Sequence, residues 1–198
     1  MRDIIRMIVV LAVLGALSGG GLAFVKKNTE EKIEYQVLKF VKGPAILEIM
    51  AGCSNDPIVD RIKIKDGEIE RDFYVGVFNG KPNAVAYETM GKGFGGPMGV
   101  MVGVNLDTDE LIGMGVTSPF AETPGLGARA KTEESFKNSF KGLSINKPVK
   151  VKTEGGGVDA ISGATITSKG VCAAVTGSSE FYNKLKPQII EKAAAFAK

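Results

Sequence analysis

The sequence contains no histidine and no tryptophan, and only two cysteines. Without histidine there is no Ser-His-Asp or Cys-His nucleophile pair, no histidine-ligated zinc and no histidine axial ligand for haem. Cys53 and Cys172 stand too far apart for a CxxC redox motif, and two thiols in one chain do not build an iron–sulfur site. They are either buried free thiols or, in an oxidising compartment, a disulfide pair. An excess of one charge is missing too: 25 Lys+Arg against 22 Asp+Glu leave +3, with no basic stripe interleaved with aromatics, so nucleic acid is not an expected partner. No metal-ligand set and no catalytic residue are expected. Any redox chemistry must come from an organic cofactor.

What is present begins with the 19 uncharged residues 7–25, MIVVLAVLGALSGGGLAFV, between Arg6 and Lys26. A helix needs about 20 such residues to cross the hydrocarbon core, and Lys26 and Lys27 can anchor its far end by snorkelling. A cleaved signal peptide is the alternative, with cleavage near Ala16-Leu17-Ser18. The apolar residues continuing from Leu22 to Val25 and the stop at a lysine pair favour an uncleaved anchor, placed at residues 1–28. Two arginines before the span and two lysines after it leave the orientation open by charge alone.

Residues 29–198 read as one domain of ordinary size, and 44% hydrophobic with 24% charged residues excludes wholesale disorder. Ile33, Val37, Phe40 and Val41 predict a helix over Glu30–Val41. Arg61–Lys65 alternates strictly, and Asp66-Gly67 turns the chain into Glu68–Glu70. Phe73–Phe78 and Ala84–Tyr87 flank Asn79-Gly80-Lys81-Pro82, and Met98–Leu106 and Leu111–Val116 flank Asp107–Glu110. Turns this close require antiparallel pairing, since parallel strands need long crossovers. A short helix capped by Thr132 is predicted to Phe140, then a strand at Val149–Val151. Two helices should close the chain, Thr165–Leu185 and Gln188–Ala197, parted by Pro187. The fold class is α+β: an antiparallel sheet with flanking helices, plus one N-terminal transmembrane helix.

Three segments could carry chemistry. Gly155–Val171, GGGVDAISGATITSKGV, breaks a strand with three glycines and opens a helix with small hydroxyl residues, Ser162 or Thr165 serving as N-cap. Unpaired N–H groups at such a helix start suit a phosphate, although a plain capped turn has the same composition. It is not a Walker A loop, because Lys169 follows Ser168 and precedes Gly170. Glu122–Ala130, ETPGLGARA, contains a G-x-G-x-x-A pattern. Pro119 and Pro124 occupy the place of the strand that a dinucleotide-binding loop requires, so a turn bordering some other ligand is the better reading. Gly91–Pro97, GKGFGGP, reads as a strand connection whose glycines also permit close packing on a flat group.

Together these segments resemble the FMN-binding domain shared by the G subunit of Rnf electron-transport complexes and the C subunit of sodium-pumping NADH:quinone reductases. DAISGATIT, residues 159–167, matches that family's flavinylation pattern, roughly D-x-x-[ST]-G-A-[ST]-x-T, at every position, and GFGGPM and ETPGLGA stand in the expected order. The compact length is more similar to the Rnf protein. The resemblance implies FMN joined through its phosphate to the hydroxyl of Thr167 by a dedicated flavin transferase, which uses FAD and magnesium and releases AMP. Asp159, Ser162, Gly163 and Ala164 would be read by the transferase and by the folded site. The cofactor-binding set is Thr167, Ser162, Gly163, Ala164, Thr165, Glu122, Thr123, Gly125, Leu126 and Gly127. Lys150 or Lys152 would offset flavin or phosphate charge. Ser118-Pro119-Phe120-Ala121 departs from relatives that carry a histidine near the glutamate.

The implied function is a membrane-anchored flavoprotein that relays electrons within a complex coupling ferredoxin/NAD electron transfer to Na⁺ or H⁺ translocation. Its partners would be the other membrane and peripheral subunits, with the flavin transferase during maturation. The implied location is the cytoplasmic (inner) membrane, single-pass, with the domain on the extracytoplasmic side. A component of a sodium-pumping reductase, a stand-alone anchored flavin reductase and a flavin-free scaffold are the alternatives.

Overall fold

The computed structural model describes residues 2–118 and 120–197, apart from the side chain of Glu31, so Pro119 lies outside the described residues. The chain divides into two units, Met1–Leu38 and Lys39–Lys198. In the first, a single helix, α1, runs over Arg2–Val37. Its 36 residues extend about 54 Å at about 1.5 Å each, longer than the roughly 30 Å hydrocarbon core. Its apolar side chains, Leu11, Leu17, Leu22 and Phe24 among them, are exposed. Among the described residues, Arg2–Glu30 is the one stretch of helix long and apolar enough to cross a membrane. The helix expected over Glu30–Val41 is thus the continuation of α1, followed by a π-helical turn at Leu38–Lys42.

The second unit opens with α2 (Gly43–Ile49) and then a five-stranded antiparallel sheet in sequence order. The strands are β1 (Arg61–Asp66), β2 (Ile69–Phe78), β3 (Lys81–Lys92), β4 (Pro97–Asn105) and β5 (Leu111–Val116). Asn79 and Gly80 both take positive φ, the geometry a tight β2–β3 hairpin needs. The two short runs foreseen on either side of Arg71 and Asp72 are one strand, because Lys65↔Glu70 and Lys63↔Asp72 continue a single ladder.

Period-two alternation sorts the side chains. Ile62, Ile64, Phe73, Val75, Val85, Tyr87, Val100, Val102 and Val104 form one buried face with residues of α4 (Thr165–Ala193). On the opposite face Gly103 and Gly115 stand where a Cβ would overlap Ile49 or Ala45, so α2 lies directly on the strands.

Four local expectations are corrected. Pro187 sits inside α4 and does not split it. Burial of Leu185, Ile189 and Ala193 on the core outweighs the roughly 3 kcal/mol a proline costs in a helix interior. Val149–Val151 is no strand: only Val151 makes an isolated bridge, to Val158. Thr132 caps no helix, because its N–H closes the 3-10 turn Gly127–Lys131 on Arg129, and α3 (Glu134–Asn138) starts beyond it with Glu133 as the N-cap position. Neither Ser162 nor Thr165 caps α4: the N-cap position is Ala164, and no side chain caps it. The cysteines are free thiols, Cys172 buried and Cys53 partly so. Burial pushes the Cys172 thiol up to about 12, which keeps it protonated at neutral pH.

Asp109, in the β4–β5 turn, fastens that turn to α4. Its Oδ1 accepts from Tyr182 Oη at 2.7 Å and pairs with Lys186 Nζ at 2.6 Å. Burial raises the carboxyl, but the hydrogen bonds from Lys186 and Tyr182 outweigh it and hold Asp109 below its ordinary 3.8. A folded pKa below the unfolded one gives stability that is present above the unfolded value and lost as pH falls through the depressed one. Asp109→Asn keeps a residue tolerant of positive φ (57° here) and should cost about 1–2 kcal/mol at pH 7. The deficit should narrow below about pH 4, which urea titrations at pH 7 and pH 3 would measure.

Candidate functional site

The site grows out of how closely the start of α4 meets the end of β3. A Cβ on Gly170 would overlap the Lys92 carbonyl oxygen, and one on Gly91 would crowd the Gly170 carbonyl and Ala174. With no side chains between them, helix and strand touch through backbone, which brings Thr167 beside the β3–β4 connection. That connection is a tight loop closed by Gly93 N–H on Gly96 O at 2.8 Å.

Before α4 the chain turns sharply. Lys152 N–H bonds Val158 O, and Gly155 and Gly163 take positive φ of 79° and 77°. Ser168 then fixes the loop from inside the helix: its Oγ accepts from Ile161 N–H at 3.0 Å and donates to Ala164 O at 3.0 Å. Sequence reading overlooked Ser168 as the organiser of this turn, because a serine inside a helix carries no local signal of bonding backward. The helix start carries no capping side chain, so its first N–H groups are left for another acceptor.

The third segment follows β5. Thr117 is fully buried and its Oγ1 donates to Glu88 Oε1, while Glu88 Oε2 pairs with Lys42 at 2.8 Å. Thr123–Leu126 forms a β-turn with Pro124 and Gly125 at its centre, Gly125 at φ 75°, closed by Leu126 N–H on Thr123 O. Among the described residues no strand runs into it, β5 ending at Val116, and the sheet is wholly antiparallel, so a dinucleotide-binding unit is excluded here.

These segments share a cavity of about 360 Å³, lined by Phe94, Glu122, Thr123, Leu126, Gly127, Gly163, Ala164, Thr165, Ile166 and Thr167. Eight of the ten residues expected to hold the cofactor are in that wall. Ser162 is exposed and lies outside it, and Gly125 shapes the turn without lining the space. Phe94 and Ile166, 71% and 56% exposed, belong to the wall although sequence reading gave them no role. Phe94 could have been suspected as the one aromatic residue within a glycine loop. Lys150 and Lys152 do not line the cavity, and Lys152 pairs with Asp159 at 2.7 Å.

At the floor, Thr167 Oγ1 donates to Glu122 Oε2 at 2.7 Å, and Glu122 Oε1 accepts from Gly95 N–H at 3.0 Å. One carboxylate therefore ties all three segments together. Gly93 and Gly127 leave the space it occupies, since a Cβ at either would overlap its oxygens and displace the side chain. The arrangement offers a flat apolar mouth, a hydroxyl at the bottom and free helix-start amides beside it: the elements that hold an aromatic group bearing a phosphate.

A family profile described as FMN-binding domain matches residues 93–178, which contain all three segments but for the first two residues of GKGFGGP. The chain is 30% identical over 186 residues to the G subunit of the ion-translocating oxidoreductase complex of Methanosarcina acetivorans, covering 91% of this chain and 95% of that protein. The corresponding G subunit of Pseudomonas aeruginosa is 28% identical over 202 residues, covering 96% and 93%. Among solved structures, the C subunit of the Na⁺-translocating NADH-quinone reductase from Parabacteroides distasonis is 33% identical with a TM-score of 0.51, over 59% of this chain and 63% of that one. Shewanella oneidensis NqrC, 24% identical, has the same fold with a TM-score of 0.53, over 69% and 71% of the two chains.

Proposed function

The chain belongs to the family of the G subunits of ion-translocating oxidoreductase complexes, and from that premise we propose that it is the electron-relaying flavoprotein of such a complex, with FMN bound covalently to Thr167. The observation that carries the proposal is the convergence of GFGG, ETPGLG and SGATIT on one cavity whose floor is the Thr167 hydroxyl. FMN, when bound, supplies the one- and two-electron redox chemistry that the side chains of this chain lack.

The chain's own residues bind and position. Thr167, at the third helical position of α4, supplies the oxygen of the phosphoester. The uncapped amides of Thr165 and Ile166 and the positive end of the helix face the one negative charge that a phosphodiester keeps. Gly163, with its positive φ, lets backbone approach the phosphate where a side chain would intervene. Phe94, Leu126 and Ile166 flank the mouth with apolar surface that suits a flat ring. Residues 1–28 anchor the protein in the cytoplasmic membrane and 29–198 form the flavin domain on its extracytoplasmic side. There a covalent tether prevents loss of a cofactor that could not be replaced easily. The electron partners are neighbouring subunits of the complex, the coupled reaction is ferredoxin/NAD electron transfer, and the coupling ion is Na⁺ or H⁺. A flavin transferase installs the FMN.

The test is the intact mass of the chain matured with a flavin transferase. It should rise by FMN less one water, with a yellow fluorescent band that survives denaturing electrophoresis. A matured chain of unaltered mass sinks the covalent reading. Co-purification with integral membrane subunits tests the place in a complex, and a chain that purifies alone from its native membrane would be a stand-alone carrier.

A further inference from the structure

The acceptor hydroxyl is shut in. Thr167 is 1% exposed, and its Oγ1 hydrogen points to Glu122 Oε2. The other oxygen of Glu122 is fastened to the Gly95 amide, and Gly93 and Gly127 close around the carboxylate with no room for a methyl group. In that arrangement little of Thr167 is left open to a dinucleotide held in another enzyme's active site. Attachment forms a bond from Thr167 Oγ1 to the FMN phosphorus of FAD and breaks the bond from that phosphorus to AMP. AMP leaves with the bonding electrons, and the hydroxyl proton passes to a base of the transferase. The phosphorus must reach Oγ1 with the departing AMP in line, and the base must reach the hydroxyl proton.

On the reading that Thr167 is the flavin acceptor, we propose that Glu122 is a latch that masks this hydroxyl, and that FMN is attached only to a form in which the segment 120–127 has swung open. The roots of the segment are held. Thr117 is buried and bonded to Glu88 on one side, and Ala130 is buried in the core on the other, so the opening moves the loop and leaves the sheet in place. The latch is also one-way. Once Oγ1 carries phosphorus it has no hydrogen to donate, and a phosphodiester anion stands where the Glu122 carboxylate had its donor. The mature protein therefore cannot restore the hydrogen bond from Thr167 to Glu122. Glu122 is a positioning residue here: it holds Thr167 and takes no part in the bond changes.

Two substitutions release the latch differently. Glu122→Ala deletes the carboxylate. Gly93→Ala keeps it but crowds it out of its seat without touching Thr167, and Gly93 has no positive φ, so alanine fits the backbone. The experiment uses the full unmodified chain in detergent, purified from cells lacking the transferase. Hydrogen exchange at the Gly95 amide reports opening, and the mass of the Thr167 peptide reports FMN attachment by added transferase, FAD and Mg²⁺. Each variant should exchange faster at Gly95 and acquire FMN faster than the wild type, on the order of tenfold or more for loss of a charge-assisted hydrogen bond. Attachment no faster in both variants, with Gly95 exchange raised, overturns the latch. Failure of the underlying reading looks different: no FMN mass on the Thr167 peptide of any variant, whatever the exchange, and the latch proposal falls with it.

Discussion

Thr167→Val should yield a folded chain that gains no FMN when matured with the flavin transferase, against stoichiometric FMN on the wild type. Valine matches threonine in shape, so the packing of α4 on the sheet is kept, and only the hydroxyl is lost. Losing its hydrogen bond to the Glu122 carboxylate should cost about 1.5–3 kcal/mol, too little to unfold a domain of ordinary stability, about 5–15 kcal/mol. The functional effect is all or none because no other oxygen can stand in: Ser168 Oγ is buried and already bonded to Ile161 N–H and Ala164 O, and Thr165 lies two residues back along the helix. Thr167→Ser retains the nucleophilic oxygen and should still be modified. Intact mass and in-gel fluorescence give the answer. Valine-substituted chain with full FMN would place the bond elsewhere and end the proposal.

Gly170→Val should destabilise the domain more than any surface change. A Cβ at Gly170 overlaps the Lys92 carbonyl, which is backbone and cannot turn aside, and presses on Met98 Cε. Overpacking of this kind costs typically 1–3 kcal/mol, and a branched side chain between helix and strand belongs at the upper end. For a domain of this size the melting temperature should fall by roughly 5–10 °C. Gly177, two turns further along the same helix, meets nothing within 4 Å. Gly177→Ala should therefore be neutral or raise stability by roughly 0.5–1 kcal/mol through helix propensity. Thermal scans of the pair decide the matter: equal melting temperatures would show that the close approach of α4 to β3 is not what holds this end of the sheet.

The sheet was legible because its signals are local. Alternation in Arg61–Lys65, the turn residues Asp66-Gly67 and Asn79-Gly80 and the short spacing between apolar runs act within a few residues, and the observed hairpins follow them. The errors arise where distant packing overrules a local preference. Pro187 should end a helix, yet the buried row Leu185, Ile189 and Ala193 carries α4 through it. Thr132 and Ser162 have the composition of caps, yet neighbouring turns direct the backbone so that neither serves as one.

Composition excluded histidine-dependent catalysis and clustered-thiol redox centres, and the apolar stretch before Lys26 is by itself long and apolar enough to cross a membrane as a helix. The nine residues 159–167 were enough to suggest the family, since their signal lies in one short continuous stretch of the chain. Only the tertiary structure decided that Glu122, 45 residues away, reaches Thr167, that Gly95 holds the same carboxylate, and that Phe94 and Ile166 complete the wall. Those contacts depend on how deeply α4 settles on the sheet. That depth is set by glycines facing each other across Gly91 and Gly170, a steric fit between distant segments that no spacing along the chain encodes.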